Sequence, residues 1–501
     1  MRITRYSQVC VIALMGIILL LDRPFDANAV PPEPPIAALK EAWWSQHLTD
    51  LQPPLVLTNE VLMPAPSAAE TPSSYTGWTR LAFVSYRNAN WEVYTARGDG
   101  SQATRVTNHT ATELEPRLNR GGTRIAFASN RTGAYEIYVA NADGSDVRQL
   151  TSGSGHKRQP DWSPDGRRLV FAQEHGDNWD IRIINADGTG AQWVASHPDD
   201  DLYPSWSRSG ELVWVRYLGF DGTLWAANSD GSQAHAISSP FRFLQNPVWS
   251  PNHNYIGFDF DADGDYWSEI GVYDVQHYHL AYVKDTGLSF VDLWMGDWAP
   301  DGLTLLASKI EYVVEGNQLL IQRASVMHMR SDGSAPLLPM ISGGIDMEGD
   351  WTTTDTMAPV TQVNPLPRFV RNEVIVTWSG ADVGGAGISS YDIDFRNKAT
   401  GPWNLWLTTP ETSATLWREP GATVALRSRA RDRAYNEEAW PTNPDGDALT
   451  TFYRWSVQGH VRDNRNVVVP HASVTAPTAL NSAQSDARLR NPSRVGRLNV
   501  C

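Results

Sequence analysis

One run of residues returns along this chain at a nearly constant interval. Gln159-Pro160-Asp161-Trp162-Ser163-Pro164-Asp165-Gly166 leads into Leu169-Val170-Phe171. Tyr203-Pro204-Ser205-Trp206-Ser207, Asn246-Pro247-Val248-Trp249-Ser250-Pro251 and Gly296-Asp297-Trp298-Ala299-Pro300-Asp301-Gly302 repeat it, and Glu115-Pro116-Arg117-Leu118 is a worn copy. Trp162, Trp206, Trp249, Trp298 and Trp351 stand 44, 43, 49 and 53 residues apart. In each unit a Trp-bearing strand runs into a turn where Pro presets φ and Gly supplies φ > 0. A second strand follows, then a third such as Trp179-Asp180-Ile181-Arg182-Ile183. An Asp-Gly turn leads to a fourth. Four strands per period of about 40–45 residues predict an all-β fold, a β-propeller.

The two ends of the repeat region complete each other. The first unit opens at Arg80-Leu81-Ala82-Phe83 with no Trp strand before it, and Gly349-Asp350-Trp351 is a Trp strand with nothing after it. Pairing the late strand with the early ones closes a ring of six blades and removes the exposed sheet edges. The five Trp residues are then expected to lie buried between blades.

Several of these residues form a family pattern. Pro160-Asp161-Trp162-Ser163-Pro164-Asp165-Gly166, Asn130-Arg131, Glu136-Ile137-Tyr138 and Asn141-Ala142-Asp143-Gly144-Ser145, ending in Gln149-Leu150-Thr151, resemble the WD40-like PD40 repeats of the TolB-type propeller family. The match is specific in blades two and three and looser in four to six. The resemblance implies an exported six-bladed propeller, placed at residues 76–356, that binds proteins or peptides. It implies no single reaction, because the scaffold serves unrelated functions.

The flanks suggest export. Arg2 and Arg5 precede the apolar run Val9–Leu21, and Ala27-Asn28-Ala29 offers a small-residue cleavage site, so residues 1–29 read as a secretory signal. The run is shorter than the roughly 20 residues that span a bilayer, so no membrane span is expected after cleavage. Residues 30–75, with Pro31-Pro32, Pro34-Pro35 and Pro53-Pro54, read as a stiff linker. Cleavage removes Cys10 and leaves Cys501 alone, which excludes an intramolecular disulfide. The net charge of −15 argues against nucleic acid and anionic membranes as partners.

Beyond the repeats the pattern changes. Residues 357–452 read as a β-sandwich of the immunoglobulin or fibronectin III kind, from runs such as Ser390-Tyr391-Asp392-Ile393-Asp394-Phe395, which alternate apolar and polar. Ser379-Gly380-Ala381-Asp382 and Arg429-Ala430-Arg431-Asp432 with Asn436-Glu437 resemble a bacterial Ig-like module, in which such polar residues brace loops. Residues 453–479 resemble the first hairpin of a carboxypeptidase regulatory-like module, and residues 480–501 read as a disordered basic tail.

No catalytic set emerges. A G-x-S-x-G elbow is absent, and the twelve histidines are scattered. Asp259-Phe260-Asp261-Ala262-Asp263-Gly264-Asp265 has the spacing of the first half of a calcium loop, but position twelve is Ile270. Asp259, Asp261, Asp263 and Asp265 are therefore the metal candidates, with Ca2+ as the ion, against a plain hairpin loop; no other cofactor is expected. Loops joining second to third strands, and connections between blades, should emerge on one side. That rim would gather Arg158, Asp200, Asp201, Tyr203, Phe243 and Trp294 as binding candidates. The expected function is an exported, non-enzymatic, monomeric binding protein that takes a protein or basic peptide on the propeller face. A hydrolase or lyase of peptide or carbohydrate at the channel mouth, and a structural surface or adhesion component, are the alternatives.

Overall fold

A computed structural model describes residues 77–453, except 289, 316–317, 334–335, 342–343, 398–400 and 444–445. The signal, linker, third-module hairpin and tail expected from the sequence lie outside the described residues, apart from Tyr453. Two compact units are distinguished: Val313–Leu320, which falls in the first, contributes only the ends of two strands, and Val56–Tyr312 with Ile321–Cys501 contains the rest of what is discussed below.

The chain is all-β, and the described residues contain no helix. Six antiparallel sheets follow one another. Blade 1 joins the inner strand Asp346–Thr353 to Thr79–Ser85, Glu92–Arg97 and Thr104–Arg105. The inner strands of blades 2 to 6 are Glu113–Leu118, Lys157–Trp162, Asp201–Trp206, Gln245–Trp249 and Val291–Trp298. Each inner strand touches the inner strands of the blades before and after it, and Val291–Trp298 meets Asp346–Thr353, so the ring is closed.

Closure follows the expected register: Arg80 pairs with Thr352, Leu81 with Trp351 and Ala82 with Asp350. Arg87 fastens it, its guanidinium gripping both Asp346 oxygens at 3.0–3.2 Å. The repeated Trp residues are 2–7% exposed, which makes them packing residues rather than ligand platforms. The Trp162 and Trp298 indoles donate to Arg117 O and Val248 O of the preceding blade, each at 3.0 Å. The outer strands are tied in a repeated way as well. Thr107 and Thr151 each bond a carboxylate, Glu92 or Glu136, at 2.6 Å. The long central segment of blade 6 forms the strands Thr304–Glu315 and Gln318–Arg330.

Two more sheets follow. Val360–Val363, Glu373–Ala381 and Ser413–Trp417 form one. The other orders Phe369–Val370, Ala448–Phe452, Thr423–Asp432, Ile388–Asn397 and Asn404–Thr409. Val376, Trp378 and Leu416 of the first pack with Ile393, Val424, Leu426 and Phe452 of the second, so the pair is a sandwich with one core. Trp406 packs against that core, while Trp403 stacks under the guanidinium groups of Arg396 and Arg427.

Candidate functional site: the central channel

The inner strands all break register at one place. There a residue before Pro or Gly adopts the left-handed conformation: Glu115 (φ 55°), Gln159 (56°), Tyr203 (55°), Asn246 (48°) and Glu348 (55°). Such a φ is uncommon away from Gly and needs compensation. The neighbouring blade supplies it. Glu348 Oε2 accepts Glu115 N–H at 2.6 Å, Glu115 Oε2 accepts Gln159 N–H at 2.7 Å, and Gln159 Oε1 accepts Tyr203 N–H at 2.8 Å. Ser308 Oγ does the same for Glu348 N–H at 2.9 Å, and at the matching place in blade 6 Asp259 Oδ1 accepts Met295 N–H at 2.9 Å. In blade 6 the bulge runs through Gly296, where a Cβ would sit 2.5 Å from Gly349 O; the blades approach too closely there for any side chain.

A second ring lies two residues further along each strand, just before the Trp position. Asp161 Oδ2 accepts Trp206 N–H at 2.7 Å, Asp297 Oδ2 accepts Trp351 N–H at 3.0 Å and Asp350 Oδ2 accepts Leu118 N–H at 2.8 Å. Arg117 holds the equivalent place in blade 2. Burial opposes its charge, but Asp350, Asp161, Asp297 and Glu348 together hold its guanidinium above the ordinary value.

Acid exceeds base along this channel. Burial pushes Asp350 and Glu348 up to about 7, with Glu115 adding to the second; burial and then Asp350 raise Asp297 well above its usual range. Asp259 is fully buried and pushed up to about 7 by burial. Its Oδ1 accepts from Asn246 Nδ2 and Met295 N–H, while its Oδ2 has no partner. Arg158, the other channel cation, bonds Glu115 at 2.7 Å.

The sequence candidates divide. Arg158 and Tyr203 lie in the channel, and Tyr203 faces the field of Asp259, Arg158, Glu115 and Glu348. Trp294 is half-buried on the inner strand of blade 6. Asp200 instead caps Trp179 N–H at 2.9 Å. Asp201 does not reach the rim: the strand begins at this residue, and Arg216 and the Trp214 indole bury it completely. Phe243 is also buried, against Phe220, Tyr266 and Arg242, so it is no exposed anchor. Asp261, Asp263 and Asp265 gather with oxygens within 4.8 Å of one another, whereas Asp259 stands apart on its strand. Asp261 is already held by Arg242, Gly264 N–H and Tyr266 N–H. Sequence reasoning missed Arg117, Glu115, Glu348, Asp161, Asp297 and Asp350. The signal available was position: each precedes Pro, Gly or the repeat Trp at one register, or, for Arg117, the Leu118 that stands where the other repeats carry Trp.

No curated protein matches the chain. Among solved structures, TolB from Acinetobacter baumannii is 18% identical over 55% of this chain, with a TM-score of 0.45; the match covers 66% of that protein, just under two thirds of its length. A putative TolB from Agrobacterium tumefaciens is 12% identical over 54% of this chain and 91% of that one, with a TM-score of 0.41. A chain of a nidogen/laminin complex is 10% identical over 55% and 99%, with a TM-score of 0.42. Within the repeats, residues 59–253 match the family model described as PD40, TolB beta propeller domain.

Proposed function

We propose that this chain is an exported binding protein whose propeller channel receives a basic segment of a protein or peptide. The observation that carries this reading is the excess of acid in the channel. Among the described residues, Glu115, Glu348, Asp161, Asp297 and Asp350 face only Arg117 and Arg158 as cations. Carboxyl groups pushed up by burial regain their charge when a cation enters, so binding energy and charge state favour the same ligand. The sandwich leaves one mouth to consider. Tyr435 donates to Asp301 O, and Arg120 donates to Asn436 Oδ1, on the side of the turns that follow the Trp strands. The mouth on the other side carries Arg158 and Tyr203, with the acidic loop Asp261–Asp265 on its rim. We assign the sandwich itself to the fibronectin III-like class. Three strands facing an antiparallel set of four support that assignment.

The test is binding of fluorescent peptides to the full chain at several salt concentrations. A Lys- and Arg-bearing peptide is expected to bind, more weakly as salt rises, while an acidic peptide of equal length does not. Equal affinity for both would sink the reading.

A further inference from the structure

The end of the channel beneath the second ring is occupied by the chain itself. The loop following Thr423–Asp432 in the sandwich touches turns of blades 2, 4, 5 and 6 and the segment that leaves blade 1. Asn436 Nδ2 donates to Asp355 O at 3.2 Å, just beyond the inner strand of blade 1. Arg120 of blade 2 donates to Asn436 Oδ1. Arg208 of blade 4 lies over the Tyr435 ring at 5.8 Å. Asn252 of blade 5 lies beside the Tyr435 hydroxyl. That hydroxyl donates to Asp301 O of blade 6 at 3.1 Å. Blades 2 and 5 stand opposite in a ring of six, as do blades 1 and 4. A loop this short that touches both pairs must cross the axis.

The loop is pinned as well as placed. Ala434 is fully buried with Ala299, Trp78, Trp351 and Ala386. Asp432 accepts Asn436 N–H at 2.8 Å and Asn436 Nδ2 at 2.7 Å, and Asp355 accepts Ala386 N–H at 2.9 Å. Asp432 and Asn436 belong to the polar pattern noted in the sandwich sequence, and here they hold the loop against the ring.

We propose that the channel is a blind acidic pit, sealed by the Arg433–Asn436 loop, which takes a single Lys or Arg side chain from its partner rather than a threaded segment. This deepens the basic-peptide reading and rests on it. Glu115 and Glu348 of the first ring and the carboxylates of the second are two residues apart along the strands, at most about 6.6 Å, a depth that suits one long cationic side chain. A chain passing through would have to displace Tyr435 and Asn436 from these contacts.

Two experiments on the full chain, with Cys10 and Cys501 replaced by Ser, separate this proposal from the reading beneath it. The first measures affinity for an N-acetylated linear peptide and for a small cyclic peptide, each bearing one Lys. The cyclic peptide is expected to bind within about threefold of the linear one, and a loss of about tenfold or more, 1.4 kcal/mol, would overturn the blind pit. If neither peptide binds, the basic-peptide reading fails, and the second experiment decides the seal alone. It places cysteines at Arg120→Cys and Asn436→Cys and treats the folded protein with a short bis-maleimide. Efficient cross-linking that leaves peptide affinity unchanged is expected. Failure to cross-link a chain that melts like the parent, or loss of binding on cross-linking, would show that the loop does not seal the ring.

Discussion

The Glu348 carboxylate accepts the backbone N–H of Glu115 at 2.6 Å across the seam where the two ends of the propeller meet. Closure therefore rests on more than sheet pairing between Asp346–Thr353 and Thr79–Ser85. The same acceptor role passes from Glu348 to Glu115 to Gln159, so the seam belongs to a lacing that continues around the channel.

Glu348→Ala removes the acceptor and strands the Glu115 N–H. We expect a loss of about 1–3 kcal/mol in urea unfolding, the desolvation cost of one unmet donor. Glu348→Gln keeps an acceptor oxygen and should cost much less. Equal losses for the two variants would show that the hydrogen bond is unimportant.

Stability should fall as pH rises toward neutrality. Asp350, Glu348 and Asp259 have folded-state values of about 7. In the unfolded chain they return to ordinary values of about 4. The folded state then holds protons more tightly, so its advantage is full below about pH 4 and is lost between about 4 and 7. These three groups predict a higher melting temperature at pH 5 than at pH 8, with a shallower slope in Asp350→Asn. A melting temperature that rises steadily over this range, in the parent and in the variant alike, would contradict the assignment.

Trp298 fills the space between blades 5 and 6 at 2% exposure, its indole bonded to Val248 O. Trp298→Ala should cost roughly 3–5 kcal/mol, as for other large buried aromatics. A variant of parental stability with altered peptide binding would make Trp298 a ligand contact instead.

A chain ended at residue 345 lacks the inner strand of blade 1, whereas one ended at 356 keeps it. The shorter chain also loses the buried Trp351, so it should be at least about 3–5 kcal/mol less stable. Its unpaired Thr79–Ser85 edge should promote association on sizing columns. Identical melting of the two chains would remove the closing role of Asp346–Thr353.

The repeat made the ring legible because Pro, Gly and Trp recur for local reasons: turn geometry and one packing position. The channel was harder to read. Glu115, Glu348 and Asp350 are ordinary surface residues in a pattern of alternating strands, and only the shared bulge turns them toward one axis. Asp259 illustrates the converse. Its spacing with Asp261 and Asp263 suggests a loop ligand, but the strand Tyr255–Phe260 extends past it and pairs it with Gln245, which directs the carboxyl inward. Asp201 misleads for the same reason, because its strand begins one residue sooner than a loop reading allows. The plug could not be read at all, since Tyr435 and Asp301 lie far apart in sequence and meet only through the packing of one body on another.

Closure by the two ends also sets a timetable. The strand Thr79–Ser85 emerges early from a chain made from its N-terminus, and its partner Asp346–Thr353 comes only after the other five blades have been made. At about 5–20 residues per second, that wait is on the order of tens of seconds. Through it the first blade is a three-stranded sheet with an open edge, a template for pairing with a neighbouring chain. The contact between Arg87 and Asp346 is thus among the last that the ring can make. Any factor that guards this protein during its production has one edge to cover until residue 353 arrives.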